Sequence, residues 1–150
     1  MERKRKIVPP VYLLLTLLAM AAMHFFLPIV RVIAAPYTQL GWVFVAVGVG
    51  IVAVAAGAFR RAGTPVIPFE PSTALVTGGL YRFTRNPMYL GMVLLLIGVA
   101  ILLGSLTAFL PVPVFAWIIQ KWFIEGEERF LEEIFGENYL AFKRNVRRWL

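Results

Sequence analysis

Long uncharged segments alternate with short basic segments along this chain. The three longest uncharged runs contain 24, 28 and 35 residues and extend over Ile7–Val30, Val32–Phe59 and Asn86–Gln120. A transmembrane helix needs about 20 apolar residues. The first two runs therefore predict one span each, whereas the third has room for two helices and contains Gly104, Ser105, Pro111 and Pro113, where a turn could lie. The pattern predicts an all-α integral membrane protein with four transmembrane helices, of which the third and fourth form a tight hairpin.

The composition agrees with a membrane location. The chain is 60% hydrophobic and only 15% charged, which is more apolar than a soluble domain of 150 residues requires for its core. The first run follows a basic start, as in a signal peptide, but it is longer than the usual hydrophobic region of about 7–15 residues. It also lacks a clear small-residue cleavage site, so we expect it to be a span.

The basic residues predict the orientation, because lysine and arginine in short loops favour the cytoplasmic side. With four spans, only Arg31 lies on the opposite side from the other basic residues. A three-span topology would separate the basic N-terminus from the basic C-terminal tail. We therefore expect both termini to be cytoplasmic and residues 1–150 to form one membrane domain, with a cytoplasmic loop at 60–86 and a helical tail at 125–150.

The net charge of +7 would suggest a nucleic-acid partner in a soluble domain. Here the positive residues flank apolar spans, so we expect them to contact anionic lipid headgroups and expect no nucleic-acid partner. The chain contains no cysteine, which excludes disulfides, thiolate metal sites and a thiol nucleophile. We predict no metal site.

The loop before the third uncharged run combines rigid and flexible positions. Pro65, Pro68 and Pro71 favour extended backbone. Gly78 and Gly79 permit either a tight turn or a close approach of the backbone to a ligand, and the sequence leaves both interpretations open.

Asn86-Pro87 is typical of a helix start, with Asn86 as the N-cap and Pro87 as the first helical residue. The free amides there, together with Arg85, could bind a carboxylate or a phosphate at the membrane surface. The same dipeptide is also an ordinary way to begin a helix.

A helical wheel of the tail shows one unusual carboxylate. Over residues 127–135, Phe130, Leu131, Ile134 and Phe135 cluster on one face, and Glu127 lies near the centre of that face. A carboxylate on an apolar face needs a donor or a cationic partner. Alternatively, Glu127 simply complements the helix dipole in the first turn.

A second tail helix is predicted after Gly136. Its aromatic and apolar residues, Tyr139, Phe142, Val146 and Trp149, would lie on one side and its basic residues largely on the other, as in an interfacial helix. We expect those basic residues to contact lipid. The lone His24, inside the first span, is interpreted as a packing residue.

Two segments in this order resemble a known family. They read ALVTGGLYRFTRNPMYLG and GEERFLEEIFGENYLAFKRNVRRW. They resemble the isoprenylcysteine carboxyl methyltransferase and phospholipid methyltransferase family of integral membrane methyltransferases. The similarity covers roughly the second half of the chain.

The resemblance implies an enzyme that transfers a methyl group from S-adenosylmethionine, releasing S-adenosylhomocysteine, to a lipid or another lipophilic acceptor. It implies no Rossmann fold, and it places the cofactor between the loop, the start of the third span and the tail. The residues expected at the cofactor, including Arg85 from the argument above, are Thr73, Ala74, Leu75, Val76, Tyr81, Arg85, Asn86, Pro87, Met88, Tyr89 and Glu127.

Two positions differ from the eukaryotic isoprenylcysteine enzymes. Asn86 stands where those enzymes have a histidine, and Phe123 stands where they have an arginine associated with the substrate. Arg82 and Lys121 are the candidates to replace that arginine. No catalytic base is assigned, and the acceptor group could be a carboxylate, an amine or a thiol. The competing hypothesis is a non-enzymatic four-span scaffold or subunit whose basic loops bind lipid.

Overall fold

The structure of the chain, a computed structural model, describes residues 8–150. The basic segment 3–6 and the first residue of the first predicted span, Ile7, lie outside the described residues. Within residues 8–150 the structure is helical, and its only extended pairing is an isolated bridge between Arg31 and Ser105. The α-helices are α1 Pro9–Phe26, α2 Gly41–Arg61, α3 Pro87–Leu103, α4 Leu106–Phe109, α5 Pro111–Ile119, α6 Glu125–Phe135 and α7 Glu137–Asn145.

Within residues 8–150, three helical segments are long and apolar enough to cross a membrane. They are Pro9–Phe26, Tyr37–Arg61 and Leu106–Phe135, the last formed by α4, α5 and α6 with a π-helical turn at Gln120–Ile124. The predicted integral membrane protein is confirmed. The remaining apolar helix, α3, has 17 residues, so the count of four spans and the hairpin stay predictions.

Helices α2 and α3 pack with their backbones in close contact, and two glycines make this possible. A Cβ atom on Gly48 would lie 2.6 Å from the carbonyl oxygen of Gly91, and one on Gly91 would lie 2.7 Å from the carbonyl oxygen of Gly48. Small residues allow such close approach between membrane helices. The pair therefore fixes α3, and with it the residues that begin α3, against α2.

The chain turns between α3 and α4 at Gly104, whose φ is +71°. Its carbonyl oxygen accepts hydrogen bonds from the amides of Val32 at 2.8 Å and Ile33 at 3.1 Å. His24 also lies at this end of the molecule, where Nδ1 is 2.8 Å from the hydroxyl oxygen of Ser105. The polar group of His24 thus has a structural partner inside the protein.

The apolar core joins α1, α3 and α5. Its fully buried members include Met20, Leu96, Phe115 and Ile119. Helix α6 continues from this core but has six charged residues among its 11 positions, so it is too polar for the hydrocarbon region. We therefore place α6 beyond the apolar part of Leu106–Phe135, at the membrane edge.

The two helices predicted in the tail are confirmed as α6 and α7. Helix α7, however, ends at Asn145, and Val146 has extended backbone with φ −125° and ψ 132°. Val146 and Trp149 were expected on one side of that helix, and this expectation was wrong. The segment after α7 instead runs back to the start of α3, where the amide of Arg85 donates to the carbonyl oxygen of Arg147 at 2.9 Å.

Candidate functional site

A cavity lies where the loop after α2, the start of α3 and the two tail helices meet. The cavity and its open mouth contain about 830 Å³ of space. Its walls are mainly apolar, including Phe69, Leu75, Phe130 and Leu131, and its ionisable side chains include Arg85, Glu127 and Glu128.

Most of the residues expected at a cofactor line this one cavity, although they come from three separate stretches of the chain. Thr73 and Pro87 do not line it. Thr73 is exposed and its hydroxyl donates to the carbonyl oxygen of Gly63 at 3.1 Å, whereas Pro87 is buried as the first residue of α3. The expected residues that do line the cavity are Ala74, Leu75, Val76, Tyr81, Arg85, Asn86, Met88, Tyr89 and Glu127.

The two basic residues considered for the acceptor are not among the cavity-lining residues. Arg82 is exposed. Lys121 is also exposed, and its Nζ donates to Oε1 of Glu125 at 2.9 Å. In this structure both side chains face solvent or lipid.

Glu127 has the partner that its place on an apolar helix face requires. The hydroxyl of Tyr89 donates to Oε1 of Glu127 at 2.7 Å and joins α3 to α6 across 38 residues of sequence. Burial raises the pKa of Glu127 to about 7, although the hydrogen bond from Tyr89 lowers it. The cavity therefore contains a carboxyl group that titrates near neutral pH.

The residues before α3 form a turn. Gly79 has φ +61°, and a Cβ atom on Gly78 or Gly79 would have no neighbour within 4 Å. The structure shows the turn, and neither glycine is among the residues that line the cavity. The turn leads into Tyr81, which is buried with its ring centroid 5.5 Å from that of Phe59. Burial and the nearby Glu127 raise the pKa of Tyr81.

Helix α3 begins as predicted, with Asn86 before Pro87, but the expected capping interaction was wrong. The Asn86 side chain does not cap the helix amides. Its Nδ2 instead donates to the carbonyl oxygen of Arg148 at 2.9 Å, and the hydroxyl of Thr84 donates to the same oxygen at 3.1 Å. The start of α3 is therefore tied to the C-terminal segment.

A buried ion-pair cluster lies beside Glu127. Both oxygens of Glu128 accept from Arg148: Nε donates to Oε1 at 2.9 Å and Nη2 to Oε2 at 2.8 Å. Nη2 of Arg85 lies 3.2 Å from Oε1 of Glu128, and the side chains of Arg85 and Glu128 are only 8% and 7% exposed. The hydrogen bond with Glu128 raises the pKa of Arg148.

Sequence reasoning missed Glu128 and Arg148. Glu128 was not among the predicted site residues, and the basic residues of the second tail helix were expected to contact lipid. The adjacent pair Glu127-Glu128 was the available signal, because two neighbouring carboxylates at the edge of an apolar face both need partners. The partner itself could not be chosen, since the tail contains several arginines.

The loop after α2 contacts α6 through Phe69, which lines the cavity. This residue has φ +63°, which is unusual for an aromatic residue. Its ring lies on Gly126, where an added Cβ atom would be 2.9 Å from Cε1 and 3.0 Å from Cζ of Phe69. The absence of a side chain at Gly126 therefore lets the loop contact α6 between Glu125 and Glu127.

Comparison with known proteins identifies the family. Residues 37–138 match the family described as phospholipid methyltransferase. The chain belongs to the phospholipid methyltransferase family. The match covers well over half of the chain and includes the loop, α3 and α6, so the resemblance noted in the sequence is confirmed.

Similar sequences include named methyltransferases and one uncharacterised protein. Protein-S-isoprenylcysteine O-methyltransferase A of Arabidopsis thaliana is 32% identical over 80 residues, which are 53% of this chain and 41% of that protein. The Xenopus laevis protein-S-isoprenylcysteine O-methyltransferase is 37% identical over 75 residues, 50% of this chain and 26% of that protein. An uncharacterised Haemophilus influenzae protein is 41% identical over 63 residues, 42% of this chain and 100% of that protein.

A solved structure shares the fold. The eukaryotic intramembrane Ras methyltransferase, isoprenylcysteine carboxyl methyltransferase, superposes with a TM-score of 0.67 at 18% identity. The superposition covers 100% of this chain and 53% of that chain. The chain thus spans about half of the solved enzyme, and the aligned segments cover less than half of the two named relatives.

Proposed function

We propose that this protein transfers a methyl group from S-adenosylmethionine to a lipophilic acceptor at the cytoplasmic face of the membrane. The observation that carries the proposal is the cavity itself, in which a partly buried Glu127 held by Tyr89 lies with the buried Arg85. The cavity is at the membrane edge, in a chain that belongs to a family of methyltransferases.

The residues at the cavity fit the chemical groups of the cofactor. Glu127 can accept hydrogen bonds from a hydroxyl or an ammonium group. Arg85 can bind a carboxylate, because its Nε and Nη1 atoms are buried and have no hydrogen-bond partner within residues 8–150. The apolar walls formed by Leu75, Phe130 and Leu131 can enclose an adenine ring.

When bound, S-adenosylmethionine would supply an electrophilic methyl group on its sulfonium, suited to in-line displacement by the acceptor with S-adenosylhomocysteine as the leaving group. The protein therefore contributes alignment and exclusion of water rather than a covalent nucleophile. Arg85 and Glu127 hold opposite charges within one cavity and can orient a ligand that has both an anionic and a cationic group. The loop around Phe69, which contacts α6 at Gly126, forms part of the cavity wall.

The acceptor is proposed to be lipophilic and to reach the cavity laterally from the bilayer. Apolar side chains make up most of the cavity wall, and α6 begins directly after the apolar helix α5. The named relatives are isoprenylcysteine O-methyltransferases, which favours the carboxylate of a prenylated thioether acid. An aminophospholipid headgroup and a small hydrophobic thiol are the other two classes to test.

The topology proposed with this function has four spans, with α3 and the following helix as a hairpin and both termini cytoplasmic. Helix α3 has 17 residues, which at 1.5 Å per residue is about 25 Å, slightly shorter than the hydrocarbon core. Its close packing against α2 through Gly48 and Gly91 supports an intramembrane position. The basic residues then lie almost entirely on one side, as the positive-inside rule requires.

The test is calorimetric titration of the purified protein in detergent with S-adenosylmethionine and S-adenosylhomocysteine. We expect saturable binding by the wild type, and weaker binding by Glu127→Gln because the amide keeps the shape but loses the charge. His24→Ala is the control, because His24 pairs with Ser105 at the far end of the molecule. If folded wild type binds neither ligand, the methyltransferase proposal is wrong and the lipid-binding scaffold becomes the better explanation.

A further inference from the structure

Arg85 has more hydrogen-bonding capacity than the surrounding protein uses. A guanidinium has five N–H donors. Its Nη2 atom lies 3.2 Å from Glu128, whereas Nε and Nη1 are buried and have no hydrogen-bond partner in the described part of the chain. Leaving buried charged donors unpaired is costly. The arrangement is therefore suited to an acceptor that enters the cavity with a ligand.

Arg85 has unpaired donors because Arg148 competes with it for the carboxylate of Glu128. Arginine and a carboxylate prefer a bidentate pair with two parallel hydrogen bonds. Arg148 makes that pair with Glu128, at 2.9 Å and 2.8 Å, so Arg85 is left with a single longer contact to Oε1. Two arginines share one glutamate, and the three-residue cluster keeps one excess positive charge.

The position of Arg148 is itself fixed by the backbone. Its carbonyl oxygen accepts hydrogen bonds from the side chains of Thr84 and Asn86, and the amide of Arg85 donates to the carbonyl oxygen of Arg147 at 2.9 Å. The C-terminal segment is thus attached to the same short stretch that contains Arg85. This attachment holds the backbone of Arg148 next to the stretch that contains Arg85.

We propose that Arg148 is a positioning residue that saturates Glu128 and thereby keeps Arg85 available for the carboxylate of the cofactor. Without Arg148, Glu128 would form the bidentate pair with Arg85 and neutralise it. The proposal rests on the proposed function, because it assigns the anionic end of the cofactor to Arg85. It also assigns a role in ligand binding to the C-terminal segment.

The experiment compares two ligands that differ only in the carboxylate. They are S-adenosylhomocysteine and its decarboxylated analogue, S-adenosyl-3-thiopropylamine. We expect Arg148→Ala to weaken binding of S-adenosylhomocysteine about tenfold, as the loss of a charge-assisted hydrogen bond would do. Binding of the analogue should change less than about twofold, since it lacks the group that Arg85 binds.

The matched control is Arg144→Ala. Arg144 belongs to the same tail, and its side chain is 66% exposed and pairs with the exposed Glu137 at 3.6 Å. Its loss should affect neither ligand. If Arg148→Ala does not fold, Arg148→Lys replaces it as the test, because lysine keeps the charge but cannot form the bidentate pair. We expect that variant to weaken S-adenosylhomocysteine alone, by about threefold.

A double-mutant cycle separates positioning from general stabilisation. In an Arg85→Ala background, Arg148→Ala should cause no further loss of S-adenosylhomocysteine binding, because the residue through which it acts is gone. Equal losses for both ligands, or a full effect in the Arg85→Ala background, would overturn the role of Arg148. Absence of binding by the folded wild type would instead overturn the proposed function, and this inference with it.

Discussion

Replacing Tyr89 with phenylalanine removes one hydroxyl and leaves the ring in place. That hydroxyl donates to Oε1 of Glu127 at 2.7 Å. A hydrogen bond to a charged group contributes about 1.5–3 kcal/mol, and one pKa unit corresponds to about 1.4 kcal/mol. The pKa of Glu127 is already raised to about 7 by burial. We therefore expect Tyr89→Phe to raise it by a further one to two units, approximately.

The consequence is a shift in the pH dependence of ligand binding. If a ligand with a cationic group requires ionised Glu127, its affinity for the wild type rises as the pH increases through about 7. In Tyr89→Phe the same rise should occur about one to two pH units higher. Near neutral pH the variant should bind about an order of magnitude more weakly, and the two proteins should converge at high pH.

The assay is calorimetric titration with S-adenosylhomocysteine at several pH values, with Glu127→Gln as the control that has no carboxyl group to titrate. The control should show no rise in affinity through this pH range. A loss in Tyr89→Phe that is the same at every pH would refute the reasoning, because it would show that the hydroxyl contacts the ligand instead of tuning Glu127. An unchanged midpoint would refute it equally.

Two further predictions concern glycines at close contacts. Gly48→Ala should destabilise the protein by about 1–3 kcal/mol, because the added Cβ atom meets backbone atoms of α3. The control is Gly50→Ala, which should not destabilise it, because a Cβ atom there has nothing within 4 Å. Thermal unfolding in detergent distinguishes the two variants, and equal melting temperatures would contradict the packing of α2 against α3. Gly126→Val should displace the ring of Phe69 from α6. Limited proteolysis would detect this displacement as faster cleavage of the loop after α2. Unchanged cleavage would mean that the contact between Phe69 and Gly126 does not hold the loop.

The linkage between pH and folding provides another test. Because the folded-state pKa of Glu127 is raised above its ordinary value to about 7, the protonated form favours the folded protein. This contribution is fully present below the ordinary pKa of a glutamate, about 4.3, and decreases as the pH rises through about 7. Chemical unfolding at several pH values should show that Glu127→Gln removes this part of the decrease, and an identical pH profile would contradict it.

Local patterns were sufficient to predict several features of the site. The wheel of the tail located Glu127, because desolvation of a carboxylate on an apolar helix face depends only on neighbours within three or four residues. The start of α3 at Pro87 was predictable for the same reason, since proline is accepted at the first helical position. The turn at Gly78 and Gly79 was predictable too, because glycine readily adopts the positive φ that Gly79 has, +61°.

Other features required the tertiary structure. Asn86 resembled a cap in sequence, yet its side chain donates to Arg148, 62 residues away. Val146 and Trp149 fitted the pattern of a helix, yet the chain leaves that helix after Asn145. In both cases a long-range hydrogen bond replaced a local one, and a pattern of neighbours in sequence contains no information about such a competitor.

The amino-acid sequence by itself determined that the chain is helical and lies in a membrane, because long apolar runs leave few other ways to satisfy the backbone. It also determined that Glu127 needs a partner. Only the tertiary structure decided that the partner is Tyr89, and that Arg148 rather than Arg85 holds Glu128 in a bidentate pair. A buried carboxylate needs a hydrogen-bond donor, and the residues near it in sequence are enough to show this. The folded backbone determines which donor lies within reach of it.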